Sequence, residues 1–381
     1  MALTKVTFFR PCLDETTGGA AKVYADLLPR LSAAGFAVKI IVPASEVERA
    51  RRMFGDGVEV CALPVTRKMR RVLEQLRLWH TFVALAFIMV RSDVAFIDAR
   101  PEIVDITKAL RRFGYRKPIV LRLGAVPSHD QNKDVRVDRE LPAAFRAADR
   151  VIVPSEIARD DLVAHYAVPE NKIDVVYNAL PVKSGDHQTE ELMELPLSRP
   201  VFLFVGALSP RKDPETAIRA FGHAVQQGLM PETATLWVVG DGPLRAEMEE
   251  LVRSIDLPSR VRFWGYREDV DAFHRGADIF LHTSRMDGFS YALVEAVAAA
   301  RPILCADAPV GAISLLKRFG IGSYFPPGDV EALALLMRVA ANGEIPMGDG
   351  AGLLDQLSPV RFVEGYARAI KSVATITKPS A

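Results

Sequence analysis

"VFLFVGALSPRKDPETAIRAF", residues 201–221, is a strand, a turn and a helix in one short run. Val201–Val205 are all apolar, β-branched or aromatic in the main, and stop at Gly206. Two cations, Arg211 and Lys212, then precede a helix-spaced segment. A short apolar run, a glycine-bearing turn and a helix make half of a βαβ unit. The same rhythm continues downstream in Leu236–Val239, Val261–Trp264, Ile279–His282 and Ile303–Cys305. Upstream it runs through Lys5–Phe9, Val38–Val42, Val94–Ile97, Ile119–Leu123, Val151–Val153 and Ile173–Val176. Helix patterns separate most of these strands; Ala20–Ala34, for example, has helical spacing and closes at Gly35. Near-continuous apolar strands alternating with helices predict parallel sheets covered on both faces.

At 381 residues the chain is long for one core. The polar, proline-bounded segment 181–200, "PVKSGDHQTEELMELPLSRP", reads as a linker. The expectation is therefore two doubly wound α/β domains, residues 1–180 and 181–359. The terminal pattern "VRFVEGYARAIKSVATI" has an amphipathic helical spacing.

Composition narrows the function. A formal net charge of +1 excludes a strongly basic protein held to nucleic acid by global charge. Three scattered cysteines, Cys12, Cys61 and Cys305, fit neither a disulfide framework nor a zinc site and suggest a reducing compartment. The N-terminus runs straight into a strand pattern, which reads as a chain without a signal peptide. The greasiest stretch, Leu78–Val90, is too short for a membrane span and reads as a buried helix. The expectation is a soluble, cytoplasmic protein. "TRKMRRVLEQLRLWH" clusters Arg67, Lys68, Arg70, Arg71 and Arg77. Such a cluster either docks on an anionic membrane, giving a peripheral position on its inner face, or forms a solvated helix face.

Ligands of doubly wound sheets gather at the carboxyl ends of the strands, and glycine and charge collect there in this sequence. "DETTGGA" puts Gly18 and Gly19 before a helix, as an anion-binding turn or as an ordinary tight one. "GDGP", starting at Gly240, is a second close-approach loop or a helix-starting turn. Arg211 and Lys212 either neutralise a diphosphate or decorate a solvated turn. In "SRMDGFSYALVEAVAAARPIL", residues 284–304, Ser290 reads as the N-cap of a helix over Tyr291–Ala300. Asp287 lies just before it and Glu295 just over one turn inside. Phe289 and Ser290 offer backbone N–H groups to a phosphate, and carboxylates accept hydrogen bonds from sugar hydroxyls. An anion cradle flanked by hydroxyl-binding acids describes a nucleotide-sugar site; a capping Asp and a surface Glu describe the same residues structurally. "DVD" at Asp269–Asp271 imitates a metal-binding Asp-x-Asp but opens a predicted helix, where acids cap and complement the dipole.

The segments "FVGALSPRKDPETAIRAF", "LWVVGDGPLRAEMEEL", "VRFWGYREDVDAF", "ADIFLHTSRMDGFSYALVEAVAAARPIL" and "ADRVIVPSEIARDDLVAHYAVPENKIDVVYNALP" cover most of residues 148–307. In order and spacing they resemble the retaining GT-B glycosyltransferases of family four. Only "TGGA" and the strand–helix rhythm carry the likeness in the N-terminal half. The resemblance implies two Rossmann-like domains facing across an inter-domain cleft, the first binding acceptor and the second the donor, with the last helix, 360–381, packing back on the first. It implies catalytic roles for Lys212 and Arg211 at the diphosphate and Asp287 at the donor sugar. Gly18, Gly19, Gly206, Gly240, Gly288, Phe289 and Ser290 would line the donor site. Glu295 would hold the ribose, and the Trp264–Tyr266 region would touch the base. The nucleotide-diphosphate sugar is a co-substrate; neither a cofactor nor a metal is expected. Acceptors of this family are saccharides or lipid-linked glycans, which implies polysaccharide or glycolipid biosynthesis. The sequence departs from the family pattern at Asp287, where Glu is usual, and at Ala300 and Ala179, where Gly is usual. Ala207 stands in place of Arg, and Gly124 in place of His, with Arg122 and His129 nearby. An epimerase or phosphorylase on the same fold, or a partner subunit that has lost its chemistry, are the other readings.

Overall fold

The computed structural model describes residues 3–10, 19–65, 69, 73, 79–98, 104–124, 126–129, 135–180 and 199–374. The chain divides into two compact units, Met1–Pro181 with Ser358–Ala381, and Val182–Leu357. The predicted linker falls almost wholly outside the described residues, as do Gly18 and the basic residues Arg67, Lys68, Arg70 and Arg71.

The first unit is a seven-stranded sheet in the order β3-β2-β1-β4-β5-β6-β7. Its strands are β1 (Lys5–Phe9), β2 (Ala37–Pro43), β3 (Glu59–Leu63), β4 (Val94–Asp98), β5 (Ile119–Arg122), β6 (Arg150–Val153) and β7 (Ile173–Val175). Every pairing is parallel. Helix α1 (Gly19–Ala33) joins β1 to β2, and α2 (Val47–Phe54) joins β2 to β3. Helix α3 (Trp79–Val90) precedes β4, α4 (Val104–Arg112) joins β4 to β5, and α5 (Val135–Ala147) and α6 (Glu156–Tyr166) flank β6. The central strands β4 and β5 are buried throughout, as parallel strands covered on both faces must be. Register sets Phe8 beside Phe96, with ring centroids 4.5 Å apart, at the heart of this core.

The second unit repeats the plan with six strands, ordered β10-β9-β8-β11-β12-β13. They are β8 (Val201–Val205), β9 (Thr235–Val239), β10 (Val261–Gly265), β11 (Ile279–His282), β12 (Ile303–Ala306) and β13 (Ser323–Phe325). All of these also pair in parallel. Between them run α7 (Pro214–Gln226), α8 (Arg245–Ser254), α9 (Val270–Gly276), α10 (Tyr291–Ala298) and α11 (Ile313–Arg318). Helices α12 (Val330–Ala341) and α13 (Gly350–Gln356) follow β13.

The last helix, α14 (Pro359–Ala374), belongs to the first unit. Its buried residues Phe362, Gly365, Tyr366, Ala369, Ile370 and Val373 keep the one-face spacing of an amphipathic helix. A Cβ on Gly365 would lie 2.7 Å from a methyl of Val176, so only glycine lets the helix sit this close. Among the described residues, no helix is long and apolar enough to cross a membrane.

In both sheets the strand order reverses beside the first strand, between β1 and β4 and between β8 and β11. These switch points are where a doubly wound sheet opens a crevice beyond its carboxyl ends.

Candidate active site

At the β8/β11 switch point the loop after β8 meets the loop after β11. Thr283, just past β11, donates its hydroxyl to the Asp213 carbonyl at 2.7 Å, and the Arg285 N–H donates to the Arg211 carbonyl at 2.9 Å. Asp213 caps α7 through Thr216 and accepts a salt bridge from Arg285 at 2.9 Å. These ties fix the backbone that carries Arg211 and Lys212.

Lys212 Nζ donates to Asp287 Oδ2 at 2.5 Å, and Arg211 Nη1 donates to Asp287 Oδ1 at 3.3 Å. The aliphatic stem of Lys212 lies against Gly206, where an added Cβ would come into ordinary contact at 3.5 Å. Asp287 is held from behind: its N–H donates to the Pro309 carbonyl and its carbonyl accepts from the Gly311 N–H. Burial alone would raise the Asp287 carboxyl, but Lys212 and Arg211 outweigh it and hold it below the ordinary range. Two cations share one carboxylate here, so the cluster keeps a net positive charge. A half-exposed Arg211 carries part of it to solvent.

His282 ends β11 in full burial. Its Nε2 lies 3.1 Å from Ser290 Oγ, and Nδ1 lies 3.6 Å from Cys305 Sγ. Burial, with Lys212 adding to it, lowers the imidazole to about 3, so the ring is neutral. Burial pushes the Cys305 thiol up, so it stays protonated. Ser290 stands at the N-cap of α10 with extended backbone, yet its side chain does not cap the helix. The capping expected of Ser290 from the sequence is thus corrected: a buried histidine takes its hydroxyl instead.

The remaining candidates divide. Gly288 and Phe289 are buried in the loop before α10, the Phe289 ring edge-on to Tyr291 at 5.9 Å. Glu295 lies on α10, its carboxylate 3.8 Å from Nε2 of the buried His274. Gly240, with φ of 129°, is pressed on the loop after β8: a Cβ there would stand 2.0 Å from the Gly206 carbonyl oxygen. The Gly240 N–H already donates to the Gly265 carbonyl at 2.7 Å. That glycine serves loop packing, and its N–H is committed within the protein. Trp264 packs edge-on with Trp237 and Phe273 and carries Arg262 over its ring at 4.0 Å. Tyr266 is the exposed ring of that pair. Both lie at β10, the edge strand, two strands from β8. Gly19 is the first residue of α1. The acids at 269 and 271 open α9 as the sequence predicts, Asp269 at its N-cap position and Asp271 in its first turn. Asp269 makes no side-chain capping bond, however: it pairs with Arg267 at 2.9 Å, while Asp271 pairs with Arg275 at 2.6 Å.

The first unit's switch point holds a cluster that sequence reasoning missed, apart from naming Arg122. Asp98 at the end of β4 bonds Arg10 at 3.0 Å and Arg122 at 3.2 Å, all three buried. Arg122 also donates to the Tyr366 hydroxyl at 2.9 Å and to Asn178 at 3.4 Å. The signal was available as one charged residue at the end of each of three successive central strands.

Two family descriptions match in succession: "Glycosyltransferase Family 4" over residues 17–183 and "Glycosyl transferases group 1" over residues 189–346. The chain belongs to the family-four, group 1 glycosyltransferases. Among curated relatives of this glycosyltransferase is the Campylobacter jejuni N-acetylgalactosamine-N,N'-diacetylbacillosaminyl-diphospho-undecaprenol 4-alpha-N-acetylgalactosaminyltransferase. It is 24% identical, over 80% of this chain and 82% of its own length. The D-inositol 3-phosphate glycosyltransferase of Corynebacterium kroppenstedtii is 32% identical, over 42% of this chain and 39% of its own length. Anabaena HepE, solved in complex with UDP and glucose, superposes with a TM-score of 0.75 at 20% identity, over 97% of this chain and 100% of that one. The lipopolysaccharide outer core galactosyltransferase WaaB superposes at 0.74 with 16% identity, over 97% and 99%. At such identities these structures establish the fold, GT-B, and the family descriptions establish the class of enzyme.

Proposed function

We propose that this glycosyltransferase moves a hexose, with retention of anomeric configuration, from a nucleoside diphosphate sugar to a saccharide or lipid-linked acceptor, without a divalent metal. The observation that carries the reading is the Lys212–Asp287–Arg211 cluster at the β8/β11 switch point, one carboxylate under two cations. Breaking the bond between anomeric carbon and diphosphate builds negative charge on the leaving oxygens, and fixed cations aimed at that charge are the largest available aid. In this reading Lys212, largely buried and anchored, takes the β-phosphate, with Arg211 beside it. Asp287, kept ionised by the same cations, faces a sugar hydroxyl. Glu295 holds the ribose, and Tyr266 is the exposed ring for the base. In a retaining transfer the acceptor hydroxyl attacks from the leaving-group face and gives its proton to the departing phosphate. No carboxylate then needs to form a covalent glycosyl intermediate.

Supporting the donor class, HepE was crystallised with UDP and glucose. Supporting the acceptor class, the C. jejuni relative and an Escherichia coli relative, a UDP-Gal:alpha-D-GlcNAc-diphosphoundecaprenol galactosyltransferase, are named for diphospho-undecaprenol acceptors. The E. coli enzyme is matched over 36% of its length. A lipid-linked acceptor fits a protein that works at the cytoplasmic membrane face. UDP or GDP release from a donor panel, with and without undecaprenyl-diphosphate-linked sugar, tests the reading. Lys212→Ala should lose most of the turnover while keeping the fold. Wild-type turnover in that variant overturns the role of Lys212, and acceptor-independent, metal-dependent release overturns the mechanism.

A further inference from the structure

The N-cap of α10 combines a residue that should cap with a histidine that stops it. Ser290 has φ −90° and ψ 108°, the extended conformation from which a serine hydroxyl normally accepts from the second or third helical N–H, here Ala292 and Leu293. It caps neither. Its Oγ points back to His282 Nε2 at 3.1 Å, and both side chains are buried. The bond forms with either tautomer: Nε2 donates to Oγ or accepts from it. The other face of the ring is fixed too, since Nδ1 lies against the Cys305 thiol at 3.6 Å and the ring lies near Phe280, centroids 6.5 Å apart. His282 is the last residue of β11, in register with Cys305 of β12.

We infer that His282 is a positioning residue: it draws the Ser290 hydroxyl away from the Ala292 and Leu293 N–H groups in the first turn of α10 and so leaves them to the leaving diphosphate. This rests on the donor reading above and deepens it. A helix start attracts anions because its first N–H groups lack intrahelical partners and the dipole is positive there. A capping serine competes for those same groups. Releasing Ser290 would let it rotate onto Ala292 or Leu293, and the diphosphate would then have to displace it. Because the imidazole stays neutral in this setting, its grip on Ser290 is constant across the physiological pH range.

The inference predicts an interaction between two positions, which a purely structural role for His282 would not produce. The probes are UDP and GDP, with affinity read by calorimetry and donor KM read separately from kcat. His282→Leu should weaken binding of the nucleotide that wild type prefers by about fivefold, the equivalent of the roughly 1 kcal/mol of a competing N-cap. The change should fall on KM more than on kcat. His282→Gln, which returns a hydrogen-bonding group at the reach of Nε2, should recover most of the loss. In a Ser290→Ala background, His282→Leu should change affinity by less than twofold. If the leucine variant folds poorly, His282→Phe in both backgrounds gives the same comparison. A fivefold loss that persists in the Ser290→Ala background overturns the inference while leaving the donor reading intact. Wild type binding neither UDP nor GDP overturns the donor reading itself, and this inference with it.

Discussion

Tyr366 accepts a hydrogen bond from Arg122 Nε at 2.9 Å across 244 residues of sequence. The bond joins the last helix to the end of β5, inside the buried cluster of Asp98, Arg10 and Asn178. Tyr366 also packs on Phe96 and Phe362, at 5.9 and 5.0 Å. Tyr366→Phe keeps that packing and removes one acceptor from a buried guanidinium, which costs about 1–3 kcal/mol. Hydrogen exchange should show the loss at first-unit amides such as those of β4 and β5, with second-unit amides unchanged. Equal protection in both proteins would mean that the bond adds nothing.

Helix α10 ends badly. Ala300, two residues beyond it, has φ of 52°, in the left-handed region where a Cβ costs roughly 1–2 kcal/mol. It is the position at which the resembling family commonly has glycine. Ala300→Gly relieves that strain and gives back part of it in unfolded-state entropy, for a net gain of about 0.5–1 kcal/mol. A rise in the thermal midpoint of the second unit, with unchanged donor KM, is the expected result. A fall would show that Ala300 makes a contact worth more than the strain.

The buried His282 gives the protein a signature in mild acid. Its folded value is lowered to about 3, below the ordinary 6.5. Below 6.5 the unfolded chain binds a proton that the folded chain refuses, so stability is full above 6.5 and falls as the pH drops from there toward 3. The slope reaches at most about 1.4 kcal/mol per pH unit. Asp287 acts lower: its depressed carboxyl contributes stability above the unfolded value, lost as pH falls through the folded one. Between pH 6.5 and 5 the loss should therefore belong largely to His282. Denaturation midpoints of His282→Gln should be flatter than wild type in that window; identical slopes would contradict the burial.

What the sequence made legible follows from burial. Central strands such as Val201–Val205, apolar throughout, and Ile279–His282, apolar up to its last residue, were read with the bounds that they have in the structure. The strands that escaped, Glu59–Leu63 and Ser323–Phe325, are sheet edges with half-exposed residues, so they lack a continuous apolar run. Within the site, Lys212 and Asp287 were legible because a charge beside a glycine turn after a strand is rare in a core. Their mutual pairing was not, because 75 residues separate them. The His282–Ser290 bond, between residues only 8 apart, was hidden for a different reason. A histidine at a strand end and a serine before a helix each have a bland reading, and only the fold brings them within 3.1 Å. Gly240 was legible as a glycine that matters, but its reason, the Gly206 carbonyl pressed on it, is tertiary.

The last prediction concerns metal. "DVD" at 269–271 has the look of a cation site, and its two carboxylates are engaged otherwise. Arg267 holds Asp269 with two bonds, Nε to Oδ1 at 2.9 Å and Nη2 to Oδ2 at 3.0 Å. Arg275 holds Asp271 one turn along α9 at 2.6 Å. A cation at these oxygens would have to displace two guanidiniums, and in the proposed transfer Lys212 and Arg211 neutralise the leaving diphosphate. Turnover should therefore survive exhaustive chelation, and added manganese or magnesium should not raise it by more than about twofold. Asp271→Asn should cost less than about 1 kcal/mol, the ordinary worth of a partly exposed ion pair, with turnover unchanged. Activity abolished by chelator and restored by manganese would refute the metal-free mechanism. If Asp271→Asn also abolished that restoration, the cation would be placed at the start of α9.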